Sequence, residues 1–526
     1  MTKRMMKRYC TLLASLVLAV ATIGPARGDD LMEPEALAAY REAVLTLARS
    51  PRLPERQQIA PLVAGFEGAE ADAILDDLLR SEHPPLAAQA VKGLVHRRGD
   101  DTIARATALA GSDHAAVRRA AVRVLLTIGR AQSIGVFVEG MEDSDPVVRE
   151  LSTMGLAATP SERGDALLRD RLTTGRVEGV LQILRAMAVA GVGRFDGLLE
   201  SLAADDRYAV RGLAVAALGT VPEERRSAIE PTVRKALDDS HPYVRRMAAW
   251  SVFELKADGA LDDLVVRLKD DDAAVREATA ELLGRIDTDA SRQALYERLD
   301  DPMLHVRVAA VRSMAGLLSP ETKALNRRLL EHDLTISVPA GADSDSAAFR
   351  RMNMATRLLG LAHYGPAIER LKTMAREHAN AKIRAAALFA LTELCMPDPK
   401  GRGWARAESE TVARLCNGMI GRGSLEVQSA AIAGVARLLY MPALGKLNSI
   451  AGNDFHPMMV QASIAVQYIT QEGKGMDIQG FEEDYTGFPQ LTHVWIPGRS
   501  TLPEAPSREA FELRLRRTLD VDWRNR

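Results

Sequence analysis

Aromatic side chains make up only 4% of the 526 residues, and there are three cysteines and four tryptophans. A chain so poor in rings, with 47% apolar residues dominated by Ala, Leu and Val, favours helices packed through small and aliphatic side chains. Signatures of chemistry are also missing. HExxH, GxSxG, GxGxxG and GxxxxGK[ST] do not occur, so zinc-peptidase, serine-hydrolase, dinucleotide and P-loop readings have no support. Without CxxC or CxxCH, neither redox exchange nor haem attachment has any. The formal charge of -2 leaves no basic excess for phosphate backbones, which excludes nucleic acid as an expected partner. Beyond residue 24 no apolar run approaches the ~20 residues that a membrane span needs.

What is present begins with a secretory plan. Lys3, Arg4, Lys7 and Arg8 precede the apolar run "CTLLASLVLAVATIG", and "PARG" places the small residues Ala26 and Gly28 ahead of Asp29. Residues 1–28 are therefore expected to be a cleaved signal peptide, and the mature protein to be exported, periplasmic or extracellular, with no membrane span. Cleavage removes five cations and moves the formal charge from -2 to -7. Cys10 lies before the apolar run, the wrong place for a lipid-modified cysteine. Cys395 and Cys416 remain, 21 positions apart. Two readings stay open for them, a disulfide between neighbouring helices or two small buried apolar side chains.

A length of 526 residues suggests several ordinary domains, but a repeat has to be tested first. The stretch "DSHPYVRRMAAW" gathers a histidine, two arginines, a tyrosine and a tryptophan, and out of context it could pass for a ligand site. It recurs. A short acidic turn, sometimes a proline, then V-R-x-x-A and a leucine-rich helix appear in "GSDHAAVRRAAVRVL", "EDSDPVVRELSTMGL", "ADDRYAVRGLAVAAL", "KDDDAAVREATAELL" and further copies. Anchored on the valine, Leu86, Val117 and Val148 are spaced by 31, and Val210, Val244, Val275 and Val306 by 34, 31 and 31. Worn copies fall at "VEGVLQILRAMAVAG" and "FRRMNMATRLLGLA", for about twelve units. Apolar residues between copies also keep helical spacing, so each unit is two antiparallel helices, A and B. A lone pair cannot bury both faces, so units must stack. The expected fold is all-α, a right-handed α-solenoid on the order of 100 Å long at ~8 to 10 Å per helix layer.

The turn Asp, the Val-Arg pair and the following Ala and Leu resemble HEAT-like repeats, in particular the short phycobilisome-lyase type, over residues 83–470. The resemblance implies Asp and Arg ladders between stacked repeats, and a concave face lined by the B helices. Expected organisation is an N-terminal helical cap at 29–82, the solenoid at 83–470 with insertions near 333–346 and 397–409, and an irregular C-terminal cap at 471–526 with one terminal helix after Ser507. The first insertion, rich in Ser, Asp, Gly and Pro, reads as a flexible acidic loop.

Against this repeat, most suspicious residues become regular. His83, His114, His241 and His456 hold the turn or helix-start place that Asp145 and Asp272 hold elsewhere, with proline next in several copies. Arg118, Arg149, Arg211, Arg245, Arg276, Arg307 and Arg384 recur as a structural ladder with turn acids such as Asp113, Asp143, Asp206, Asp239, Asp271 and Asp301. Trp250, six positions after its anchor, stands where Arg312 and Phe389 stand in other copies. It is either an anchor for a partner on the concave face or a cover for a neighbouring repeat. Trp404, flanked by Lys400, Arg402 and Arg406, adds a contact point on the second insertion.

No catalytic residue, cofactor site or metal site emerges, and the expectation is a non-enzymatic exported scaffold or adaptor binding protein partners along its concave face. Two alternatives are a lyase-like or cofactor-handling protein with a small ligand in the groove, and a structural module of a larger envelope complex whose end faces are the sticky ones.

Overall fold

The computed structural model describes residues 34–97, 99–190, 193–318, 322, 325, 328–329, 331–396, 406–453 and 456–470. The expected signal peptide, the C-terminal cap and Trp404 lie outside the described residues. Every regular element among the described residues is a helix. The chain divides into two compact units, Met1–Arg225 and Arg226–Arg526.

In the first unit the helices follow as hairpins: α1 (Pro34–Ala48) with α2 (Leu53–Val63), α3 (Ala69–Leu79) with α4 (Pro84–Gly93), α5 (Asp100–Ala110) with α6 (Ala115–Ile128), α7 (Ile134–Gly140) with α8 (Pro146–Ala158), α9 (Glu162–Thr174) with α10 (Val177–Ala190), and α11 (Asp196–Leu202) with α12 (Tyr208–Leu218). The second member of each hairpin packs on the second member of the next, forming a B row from α2 to α12. The worn copy at 177–190 is a full row member. The row also starts one hairpin earlier than the first copy of the motif, because α2 packs on α4 as later neighbours pack on each other.

The second unit repeats the plan with α13 (Arg226–Lys235) and α14 (Pro242–Leu255), α15 (Ala260–Arg267) and α16 (Ala273–Leu283), and α17 (Asp289–Tyr296) and α18 (Leu304–Leu317). After α19 (Ala347–Leu361) come α20 (Ile368–Glu377) with α21 (Ala381–Leu394), α22 (Ser409–Met419) with α23 (Leu425–Arg437), and α24 (Leu444–Ala451) with α25 (Met459–Thr470). Its B row runs α14, α16, α18, α19, α21, α23, α25.

Local chemistry starts the B helices. The Asp145 carboxylate accepts from the N–H groups of Val147 and Val148, and Pro146 takes the first helical position, where a missing N–H costs nothing. Asp272 and Asn380 cap α16 and α21 in the same way. Among the histidines at this place, His241 and His456 accept a backbone N–H on Nδ1, whereas the His83 and His114 side chains make no cap bond. Small residues then let the helices close up. A Cβ on Gly360 of α19 would stand 2.5 Å from the Ala390 Cα of α21, so backbone meets backbone there. This close approach explains why a core of this size uses so few rings.

Residues 333–346 have no helix beyond a short turn at Asp333–Thr335, but the segment is tied down rather than loose. Asp333, Leu334 and Val338 are buried, Arg370 donates to the Leu334 carbonyl, and Asn380 Nδ2 donates to the carbonyls of Pro339 and Ala340. The Tyr296 hydroxyl donates to Asp333 Oδ1 at 3.0 Å. Asp343 and Asp345 of the acidic tip are exposed, as are Thr335, Ser337, Pro339, Ala340 and Gly341.

Candidate functional site

Two features of the B row carry the recurring polar residues: the turn edge, where the arginines sit, and the helix face further along each B helix. At the turn edge, all seven arginines perform one common act. Arg118, Arg149, Arg211, Arg245, Arg276, Arg307 and Arg384 each donate through one guanidinium nitrogen to the carbonyls five and six residues upstream, at 2.6 to 3.3 Å. Each therefore clasps the turn that begins its own helix.

Arg118, Arg245 and Arg276 also reach the next turn. Arg118 grips both oxygens of Asp143 at 2.8 Å, Arg245 those of Asp270 at 2.8 and 2.6 Å, and Arg276 those of Asp301 at 2.9 and 3.0 Å. The Asp270 carbonyl is in turn clasped by Arg276, and that of Asp301 by Arg307, so α14, α16 and α18 are linked by one continuous series of rungs. The paired carboxylates are nearly sealed, with Asp270 at 2% and Asp301 at 1% side-chain exposure. Next to Asp270 lies Asp271, one of the turn acids expected beside the ladder. That side chain also meets Arg245, but it is 90% exposed, and Asp270 is the buried partner. Burial and the neighbouring Arg350 pull Arg307 down to about 10, which leaves it charged at neutral pH.

Two more residues belong to this edge. Arg350, in the worn copy that opens α19, donates to the Asp345 carbonyl five residues upstream and to the Asp300 carbonyl at 2.9 Å. Gln428 of α23 keeps the clasp with its amide, donating to the Gly423 carbonyl at 3.0 Å. The signal for Arg350 was in the sequence, since it follows Phe349 as the other arginines follow their anchors. Gln428 was hidden by the change of residue type.

The helix face is less regular. Trp250 is buried at 4% exposure, which removes it as an exposed anchor. It belongs to α14, which packs on α13 and α16. Arg312 and Phe389 are half-buried. Phe389 lies under the guanidinium of the fully buried Arg357, with Cζ 5.0 Å from the ring centroid, and burial pulls Arg357 down to about 9. Arg357 also donates from Nε to Asn353 Oδ1 at 3.0 Å.

One turn beyond Trp250 the accessible group appears. Phe253 and Glu254 of α14 are half-buried, and Arg285, just past the end of α16, covers both, with Cζ 4.8 Å from the Phe253 centroid and NH1 3.8 Å from Glu254 Oε1. Glu254 and Arg285 stand ten residues after their anchors. Glu393 and Arg437 hold that same place and form a second pair between α21 and α23, in which Glu393 keeps 1% exposure. This ten-residue offset is a regularity that the repeat itself carries.

Cys395 and Cys416 are buried and not joined by a disulfide, so of the two readings the buried apolar one holds. The Cys416 sulfur is packed against α23, where a Cβ on Gly434 would come within 2.7 Å of it. Burial pushes the Cys395 thiol up to about 11 and the Cys416 thiol up to about 12, so both behave as apolar contacts. No group of three or more His, Cys, Asp or Glu side chains able to hold a metal occurs among the described residues. No described helix is long and apolar enough to cross a membrane.

The family model of HEAT repeats matches residues 71–157, 103–188, 195–283 and 261–335. Among solved structures, a chain in the complex of Kap95p with RanGDP is similar at 13% identity and a TM-score of 0.37, over 85% of this chain and 68% of that one. Importin beta crystallised in an ammonium sulfate condition is similar at 15% identity and a TM-score of 0.33, over 82% of this chain and 62% of its own. A chain of the AP-3 complex in an intermediate open conformation is similar at 12% identity and a TM-score of 0.32, over 86% and 94%. The sequence has no match among curated proteins. With HEAT repeats matched at 71–188 and 195–335, and hairpins stacked through a B row within each of the two units, the chain has an α-solenoid fold that carries HEAT repeats.

Proposed function

We propose that this chain is an exported scaffold or adaptor that holds protein partners along the B-row face of its second unit. The repeats are commonly an interaction scaffold, because stacking presents one helix face over a long surface. The observation that carries the reading is the Phe253, Glu254 and Arg285 group, a half-buried ring roofed by a guanidinium on a B-row face that also presents Arg312 and Phe389. Aromatic and arginine side chains of this kind dominate binding energy at protein interfaces. Assignment to the short phycobilisome-lyase type rests on the 31-residue spacing and the Asp-Val-Arg turn, and export rests on residues 1–28.

The test is cross-linking capture in the native host with Phe253→Ala and Arg285→Glu, beside Val266→Asp on the exposed side of α15 as a control. Partners captured by the parent chain are expected to be lost with the first two and kept with the third. Unchanged partners in all three contradict the assignment. For export, the mature protein is expected to begin at Asp29, and an intact residue 1–28 segment on the purified protein contradicts it.

A further inference from the structure

The series of rungs breaks after Arg307. In the rungs made by Arg118, Arg245 and Arg276, Nε and Nη2 grip a carboxylate that stands six residues before the next arginine: Asp143 before Arg149, Asp270 before Arg276, and Asp301 before Arg307. The arginine after Arg307 is Arg350, and six residues before it stands Ser344, short and uncharged. Arg307 is as deeply buried as the arginines of complete rungs, at 7% exposure against 8% for Arg276. Its Nη1 clasps the carbonyls of Asp301 and Pro302, whereas its Nε is buried and meets no acceptor among the described residues. Arg149 and Arg384 also clasp only their own turns, but both are half-buried and open to water. Positive charge gathers at Arg307. Arg350 lies close enough to oppose its charge, and Lys382 Nζ donates to Ser344 Oγ at 2.6 Å. Asp300, Asp301 and Asp345 lie near enough to favour that charge, yet Asp301 is gripped by Arg276 and Asp345 is exposed. Burying a guanidinium without a hydrogen-bonded anion is costly.

We propose that this turn is a site for a small oxyanion, phosphate or carboxylate, which lies side-on against Nε and Nη2 of Arg307, between Arg350 and Lys382, where the other rungs hold an aspartate. A guanidinium presents those two donors in parallel and matches two oxygens of one anion, as the Arg276 and Asp301 rung already does. Ser344 takes less space than the aspartate of its register position. Its hydroxyl accepts from Lys382 and keeps one hydrogen to donate to the anion. The site belongs to the turn edge of the second unit and is separate from the Phe253, Glu254 and Arg285 group on the helix face.

The experiment follows thermal unfolding of the full-length protein at pH 7 in chloride, inorganic phosphate or acetate at matched ionic strength, beside Ser344→Asp, which supplies the carboxylate from within the chain. Phosphate or acetate at about 10 mM is expected to raise the melting temperature of the parent by about 2 °C or more over chloride, and the larger shift identifies the preferred anion. In Ser344→Asp that shift is expected to vanish, while the melting temperature in chloride rises by about 2 °C or more. Equal shifts in the two proteins mark a general salt effect and overturn the proposal, as does no shift in the parent with either anion. A melting temperature in chloride that Ser344→Asp lowers or leaves unchanged overturns it as well, because the added carboxylate then does not meet Arg307.

Discussion

At Asp145 a single carboxylate does two things, capping α8 and meeting Arg119 at 2.9 and 2.5 Å. The Arg119 hydrogen bonds, helped by the backbone N–H groups of Val148 and Val147, hold its pKa down from 3.8 to about 2. Because the folded value lies below the unfolded one, the unfolded chain binds more protons as the solution is acidified. The stability Asp145 contributes is thus complete above pH ~4 and is lost as the pH falls towards 2. Asp145→Ala is expected to cost about 1 to 2 kcal/mol at pH 7 in urea melts, with the difference from the parent shrinking below pH ~4. A constant difference down to pH ~2 contradicts the assignment. Backbone geometry yields a second residue-scale test. Leu439 sits at φ 52° at the end of α23, and the following Tyr440 N–H closes back on the Val435 carbonyl, an end motif that favours glycine. Its side chain is 38% exposed, so Leu439→Gly gives up little burial and is expected to leave the melting temperature unchanged or raise it. A clear drop would show that the leucine has a packing role.

Within elements, the close approaches are the sensitive points. Gly360→Val is expected to cost about 1 to 3 kcal/mol, because the added atoms would overlap the backbone at Ala390. Trp250→Ala is expected to cost about 3 to 5 kcal/mol as a core truncation, with the captured partners unchanged. Loss of partners from a Trp250→Ala protein that remains folded would restore the tryptophan as an anchor. Sequence and structure part company here for a physical reason. Counting positions from Val244 places Trp250 on a face of the helix, but whether that face is open depends on how closely the next B helix approaches. In this protein the ring is buried. The helix starts, in contrast, were legible because Asp145, Asp272 and Asn380 act on backbone groups two and three residues away. Asp271, expected among the turn acids, does meet Arg245, but the buried partner Asp270 was not legible, since two adjacent aspartates read alike and only burial separates them.

For the molecule as a whole, the spacing of 31 residues was enough to expect stacked hairpins, and even the worn copies at 177–190 and 347–361 proved to be members of the row. The row's beginning at α2 was not legible, because "LPERQQIAPLV" lacks the Asp, Val and Arg of the motif and is recognised only by what it packs on. The free thiols could not be read from a spacing either, since pairing depends on where each sulfur points. The recurring arginines brace the turns that start the B helices, and Arg118, Arg245 and Arg276 also tie one hairpin to the next. The rung between Arg276 and Asp301 tests that role most directly. A double-mutant cycle of Arg276→Met and Asp301→Ala, read by urea denaturation, is expected to show each single change costing about 3 kcal/mol or more, and a coupling of about 1.5 kcal/mol or more between them. Single costs that simply add, with coupling below about 0.5 kcal/mol, would contradict a stacking role for the rungs.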